Sequence, residues 1–303
     1  MTRHELPLER RTLHGHFSSG LPAVLEIETG DEVVFTTLDA RWSVGGDWRR
    51  FEPMDPELDN GHALCGPLLV RDAEPGMTLA IRVLELVTEP TGWTAVAGTP
   101  LAEALGVTDG TDYRMPWELD PEAGVARNDH GLRAHMRPFL GVMGVAPAEP
   151  GRHSTGPPRP TGGNIDCREL IVGSTLYLPI AVPGALFSTG DGHAAQGDGE
   201  SSGTAIECGM ARAVLGFELL PDLRLTMPRA QTPAGFITFG FDEDLDRAME
   251  IALGGMLDVL SERHDLARRE ALALASTVVE LRVTQVVNGV RGVHALLPDG
   301  AIF

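Results

Sequence analysis

Apolar residues in this chain fall mostly in short blocks and alternating runs, the texture of strands, and adopt helical spacing only late. Residues 21–40 carry two β-branched runs on either side of Thr29-Gly30-Asp31, which predicts a β-hairpin. Further strands are predicted at 68–70, 78–87, 176–180, 185–188 and 235–241, and an antiparallel pair at 211–220 and 223–228 turning at Pro221-Asp222. The stretch 138–147 is apolar yet glycine-bearing, as expected of a buried strand passing close to another backbone. Residues 41–60 and 92–130 read as loop-rich, with a short helix at 100–105 and turn signals at 106–111. After Asp242, a plausible N-cap, Leu245, Met249, Ala252, Leu253, Met256, Leu257 and Leu260 line one face of a helix over 243–263. A second helix follows at 266–275, and strands at 278–287 and 293–296 close the chain. The predicted fold is mainly β, a β-sandwich or barrel-like core with α+β decoration and a helical pair in the C-terminal third.

With 303 residues the chain can form a single domain or two β subdomains, about 1–150 and 151–303, sharing one site. No apolar run is long enough for a membrane span, and the first residues lack a signal-like apolar segment, so a cytoplasmic protein is expected. A formal charge of −19 argues against nucleic acid or an anionic membrane as partner. All 24 basic residues are Arg, which excludes any chemistry that needs a catalytic lysine. Three cysteines, Cys65, Cys167 and Cys208, fit free thiols in a reducing compartment.

The candidate chemistry gathers in residues 186–200. Gly190, Gly192, Gly197 and Gly199 leave the backbone permissive there, while Asp191, His193, Gln196, Asp198 and Glu200 supply polar groups. Between Arg168 and Arg212 no Arg or Lys neutralises Glu169, Asp191, Asp198, Glu200 or Glu207, and His193 is the only local base. Acids clustered in this way face water, shift their pKa values or bind a cation. A divalent metal held by Asp, His and Glu is the sharpest reading; a Gly/Asp-rich surface turn between strands fits the same composition. His62, beside Asp59 and Asn60, forms a second polar cluster, and residues 149–163 read as an ordered loop delivering Asn164 and Asp166.

Five ordered motifs, Gly61-His-Ala-Leu-Cys-Gly-Pro67, Pro138-Phe-Leu-Gly-Val-Met-Gly-Val-Ala-Pro147, Gly162-Gly-Asn-Ile-Asp166, Gly173-Ser-Thr-Leu-Tyr-Leu-Pro179 and Gly190-Asp-Gly-His-Ala-Ala-Gln-Gly-Asp-Gly-Glu200, resemble the acetamidase/formamidase family. The resemblance runs from near Leu21 to Phe303 and implies a mostly β, oligomeric enzyme that hydrolyses short aliphatic amides to carboxylate and ammonia. Within it, Asp166, Asp191 and His193 are the expected metal ligands, with zinc the first candidate and room for a second ion such as Ca²⁺. Glu200, Asp198 and His62 are the expected acid–base groups, and Asn164, Gln196 and Gly192 the expected substrate contacts. The alternatives are a Cys167 or Cys208 nucleophile with His193 as base, or a non-catalytic binder of small polar molecules. The flanking Phe139, Met143, Tyr177, Leu186 and Phe187 are expected to wall a small apolar pocket for a neutral amide. Gly254 and Gly255 point the late helices toward packing on another subunit, hence a homo-oligomer of two or more chains.

Overall fold

Strands with one apolar face need a second sheet to cover it, and this chain supplies two large ones. The computed structural model describes residues 1–44, 49–96, 98–108, 111 and 113–303. One nine-stranded sheet runs in the order Arg3–Leu6, Glu32–Phe35, Met210–Leu220, Thr78–Thr88, Thr175–Pro179, Arg229–Thr232, Gly235–Asp242, Arg291–Pro298 and Glu280–Gln285. It is antiparallel except for its first pair. The second, eleven-stranded sheet is built around Phe187–His193, which pairs with Phe139–Val145 on one side. On its other side it pairs first with Leu64–Val70 and then with Glu207–Cys208. Glu207–Cys208 links to Thr91–Val96, from which the sheet continues through Tyr113–Asp120 and Val125–Asn128 to Arg133–His135. Ile81, Leu176 and Phe217 of the first sheet meet Leu68, Met143 and Phe187 of the second in one buried cluster. The Phe187 and Phe217 rings stand edge to face with centroids 5.1 Å apart. Each sheet draws strands from both halves of the sequence.

The helical pair, Leu245–His264 and Arg268–Val278, covers the outer end of the first sheet. Asp244, two residues beyond the expected cap, accepts from the amides of Asp246 and Arg247. Ala248, Ala252, Met256 and Leu260 bury the helix face against Val293, Ala295 and Leu297. A Cβ at Gly240 would lie 2.0 Å from the carbonyl oxygen of Ala248, so only glycine lets helix and strand approach this closely. Gly255 lies against Thr238 of the same sheet, and Arg268 reaches the Gly254 carbonyl. Both glycines thus have contacts within the chain.

Several expected elements are rearranged. The strands Leu25–Ile27 and Glu32–Phe35 do not form a hairpin: the first pairs in parallel with Leu64–Val70, the second joins the other sheet. The Thr29-Gly30-Asp31 turn is thus a corner between sheets, fastened by Asp31 accepting from the Glu28 and Thr2 amides. Residues 92–130, expected to be loop, hold Tyr113–Asp120 and Val125–Asn128, while Pro100–Ala104 is the short helix foreseen. Met210–Leu220 pairs with Thr78–Thr88 rather than with residues 223–228. In residues 41–60 a two-residue pairing of Ser43–Val44 with Arg49–Arg50 replaces plain loop; residues 45–48 there, and 109–110 of the expected 106–111 turn, lie outside the described residues.

Candidate functional site

Phe187–His193 is an interior strand of its sheet, paired on both edges, and everything on it is buried, including Asp191 and His193. The strand expected at 185–188 thus runs on through the glycine-rich stretch as far as His193. Asp191 takes a left-handed backbone conformation, φ +58°, inside that strand. Asp166 (φ +53°) and Glu200 (φ +48°) do the same in the segments that arrive beside it. A non-glycine residue held this way costs about 1–3 kcal/mol, and three acids sharing the feature mark a site where side-chain direction outweighs backbone ease.

The result is a buried acidic nest around one imidazole. His193 Nε2 lies 3.4 Å from Asp191 Oδ1 and 3.3 Å from Glu207 Oε2. Phe139, its cross-strand partner, holds the ring edge to face at 4.9 Å. Ligand-type atoms of Asp166, Asp191 and His193 all lie within 4.8 Å of one another, and so do those of His193, Glu200 and Glu207. The floor is Gly141, where a Cβ would meet Asp191 Oδ2 at 2.6 Å and Asp166 Oδ1 and His193 Cε1 at 2.7 Å each. Asp166 is fixed from three sides. Asn288 Nδ2 donates to its Oδ2 at 2.9 Å, Gln196 Nε2 donates to its carbonyl at 2.8 Å, and its own amide donates to Gly141.

Burial pushes the Asp166 carboxyl up to about 8, aided by the Asp191 and Glu207 charges and opposed by His193. Burial and the Asp166 charge raise Glu200 well above the carboxylate range, and burial likewise raises Glu207. Burial works against Asp191 too, but the His193 and His62 imidazoles outweigh it and hold that carboxyl low. For His193 burial favours the neutral ring, yet Glu207 and Asp191 overcome it and raise its pKa. The nest is thus short of positive charge, and protons fill the deficit. Its outward-facing atoms tell the same story: Asp166 Oδ1, Asp191 Oδ1, His193 Nδ1 and Nε2, Glu200 Oε2 and Glu207 Oε2 are buried without a hydrogen-bond partner. Buried polar atoms left unpaired are rare, and several converging on one point fit a cation.

A cleft of about 340 Å³ opens onto this point, lined among others by His62, Trp93, Thr155, Asn164, Asp191, Glu200, Glu207 and Asn288. His62 stands in the wall, its backbone amide and Nδ1 both on Thr155 Oγ1 at 2.8 Å. Asn164 donates to Gly156 and leaves Oδ1 unpaired.

The structure thus brings together Asp166, Asp191, His193, Glu200, His62 and Asn164. It does not bring Asp198, whose Oδ2 accepts from Arg282 Nε and Nη2 at 2.9 and 2.7 Å, so its charge is already answered. Gln196 serves the Asp166 backbone and lines a neighbouring depression instead of the cleft. Gly192 is a close-approach residue: a Cβ there would lie 2.6 Å from the Cys208 carbonyl. The apolar wall is also absent from the cleft. Tyr177 lies in the other sheet, Phe139 backs His193, and the cleft is lined mainly by polar groups and Trp93. The thiols are buried; burial pushes Cys65 up to about 12 and Cys167 and Cys208 well above the thiol range, which disfavours the metal-free thiolate that a nucleophile needs. Sequence reasoning counted Glu207 among the uncompensated acids without giving it a place, and passed over Gly141 and Asn288.

The sequence model of the Acetamidase/Formamidase family matches residues 2–153 and 151–302. A putative formamidase of Schizosaccharomyces pombe is 26% identical over 251 residues, 64% of this chain and 60% of that protein. The acetamidase of Mycolicibacterium smegmatis is 25% identical over 248 residues, 62% of this chain and 61% of that protein. This chain therefore matches about three fifths of the length of these relatives. The crystal structure of an acetamidase from Bacillus halodurans superposes with a TM-score of 0.84 at 27% identity, over 98% of this chain and 97% of that one.

Proposed function

From the premise that this chain belongs to the acetamidase/formamidase family, we propose that it hydrolyses a short aliphatic amide to carboxylate and ammonia. The observation that carries the proposal is the convergence of unpaired buried oxygen and nitrogen atoms beneath a small cleft. Asp166, Asp191 and His193, with Glu207 beside them, would hold a divalent cation, and an all-oxygen-and-imidazole donor set suits zinc. Such an ion would supply a positive charge for the amide carbonyl, ease ionisation of the attacking water and draw Glu200 back toward its ionised form.

The protein's own groups do the rest. Glu200 takes a proton from water as its oxygen adds to the carbonyl carbon, and returns it to the nitrogen as the C–N bond breaks and ammonia leaves. Asn164 Oδ1, unpaired at the wall, accepts from the substrate's amide N–H. His62, held by Thr155, orients the substrate, and with His193 as the larger influence it helps to keep Asp191 ionised. Trp93, whose indole donates to Asp39 at 2.7 Å, limits the length of the acyl group. A cleft at the small end of the usual ligand range, about 300–1,000 Å³, favours short amides over peptides. A dimer or larger assembly belongs to the same proposal; Met249, Leu272 and Leu281 stand exposed on the helical side.

The test is ammonia release from formamide, acetamide, propionamide, benzamide and a dipeptide amide, with and without a chelator. Turnover of short amides, lost on chelation and restored by Zn²⁺, supports the reading. Efficient turnover of only the large amides, or full activity in protein shown to be metal-free, refutes it.

A further inference from the structure

Cys167, next to Asp166, takes part in a separate buried group formed with Glu169 and His294. Glu169 Oε2 lies 3.4 Å from Cys167 Sγ and 3.5 Å from His294 Nε2, and one ligand-type atom from each of the three residues falls within 4.8 Å of the others. Around a tetrahedral ion with bonds of about 2.0–2.3 Å, neighbouring donor atoms are roughly 3.3–3.8 Å apart. Two edges of such a polyhedron are therefore already present.

His294 is fully buried, and its Nε2, turned toward Glu169, has no hydrogen-bond partner. The other ring nitrogen, Nδ1, sits 2.8 Å from Thr284 Oγ1, the kind of outer contact that sets the tautomer and aims the lone pair of a ligating imidazole. Burial holds this histidine down to about 4, so the ring is neutral near pH 7. The second oxygen of Glu169 is engaged by Arg282 at 2.7 Å, and Arg282 is balanced in turn by Asp198.

We propose that Cys167, Glu169 and His294 form a second metal centre, for a thiophilic divalent cation of the zinc class. On binding, the Cys167 S–H bond breaks, an S–metal bond forms and the proton passes to the buffer. Thiolate and carboxylate then cancel the dication, and the remaining charges beside it are Asp198 and the two guanidinium groups that face it, Arg282 at 2.7 Å and Arg168 at 3.9 Å. This donor set is unsuited to Ca²⁺, which takes six to eight oxygen ligands. The centre ties the strand Arg291–Pro298 to the turn that carries Asp166, bracing the hydrolytic site from behind.

The test uses the full-length protein stripped of metal and reloaded with Co²⁺, because thiolate-to-cobalt charge transfer in the near ultraviolet reports sulfur ligation. The Asp166 centre offers no sulfur donor, so the band belongs to Cys167. Wild type should show the band, Cys167→Ser should abolish it, and Cys65→Ala and Asp191→Asn should keep it. Should Cys167→Ser fail to fold, zinc-edge X-ray absorption on wild-type protein should find a sulfur neighbour at about 2.3 Å. A reloaded wild type without the band, a band that survives Cys167→Ser, or bound zinc without sulfur overturns the proposal. None of these results depends on amide turnover, so the hydrolase reading stands or falls separately.

Discussion

Gly141→Ala tests the site with the smallest perturbation available. Gly141 lies in Phe139–Val145, and its φ is not in the left-handed region, so the backbone tolerates a side chain. The obstacle is occupancy: the methyl would sit 2.6–2.7 Å from Asp191 Oδ2, Asp166 Oδ1 and His193 Cε1. These contacts are roughly 0.8–0.9 Å inside the optimum of about 3.5 Å, and the side chains, more mobile than the strand, must give way. Overpacking of this kind costs about 1–3 kcal/mol of stability, which a domain of this size survives. Metal geometry is less forgiving, because ligand distances hold to about ±0.2 Å, and a misplacement of about 1 Å in a reacting group can cost ~10²-fold in rate. We expect Gly141→Ala to fold, to lose the ion held by Asp166, Asp191 and His193, and to lose about 10²-fold or more in kcat/KM for its best amide. The assays are elemental analysis after dialysis, ammonia release, and thermal unfolding as the control for folding. A folded variant with undiminished metal at that centre and undiminished turnover would show that these three side chains do not form the reacting centre.

Two further outcomes follow from single contacts. Asn288→Ala removes the side-chain donor that positions Asp166, so metal affinity or kcat should fall about 10–100-fold with Tm nearly unchanged; no change in either would show that the Asn288 contact is idle. His14, buried between the His16 carbonyl and Ser188 Oγ, is held down to about 4 by burial from the ordinary imidazole value of 6.5. The unfolded chain therefore binds this proton first as pH falls, and stability present above pH 6.5 should decline by about 3 kcal/mol toward pH 4. Urea midpoints at pH 7 and pH 5 should differ less in His14→Gln than in wild type, and equal differences would count against the assignment.

The local pattern determined the elements whose signal is local. The buried strand 139–145, the long strand 78–88, the helical pair and the mainly β class all follow from apolar spacing, which needs no knowledge of partners. The acids of the site were legible for the same reason, since a run of carboxylates with no Arg or Lys between Arg168 and Arg212 is a property of the sequence alone. Which of those acids stay uncompensated was decided in three dimensions. Arg282, far along the chain, pairs with Asp198 and Glu169, whereas Asp191 and Glu207 have the single His193 imidazole set between them. Asn288 meets Asp166 across 122 residues, and Gly141 becomes a floor only because three side chains converge above it. The corner at Thr29-Gly30-Asp31 shows the same division. Its turn residues fix a reversal, but whether the next strand pairs with the last one or crosses to the other sheet depends on the edges already available, and that is a long-range choice.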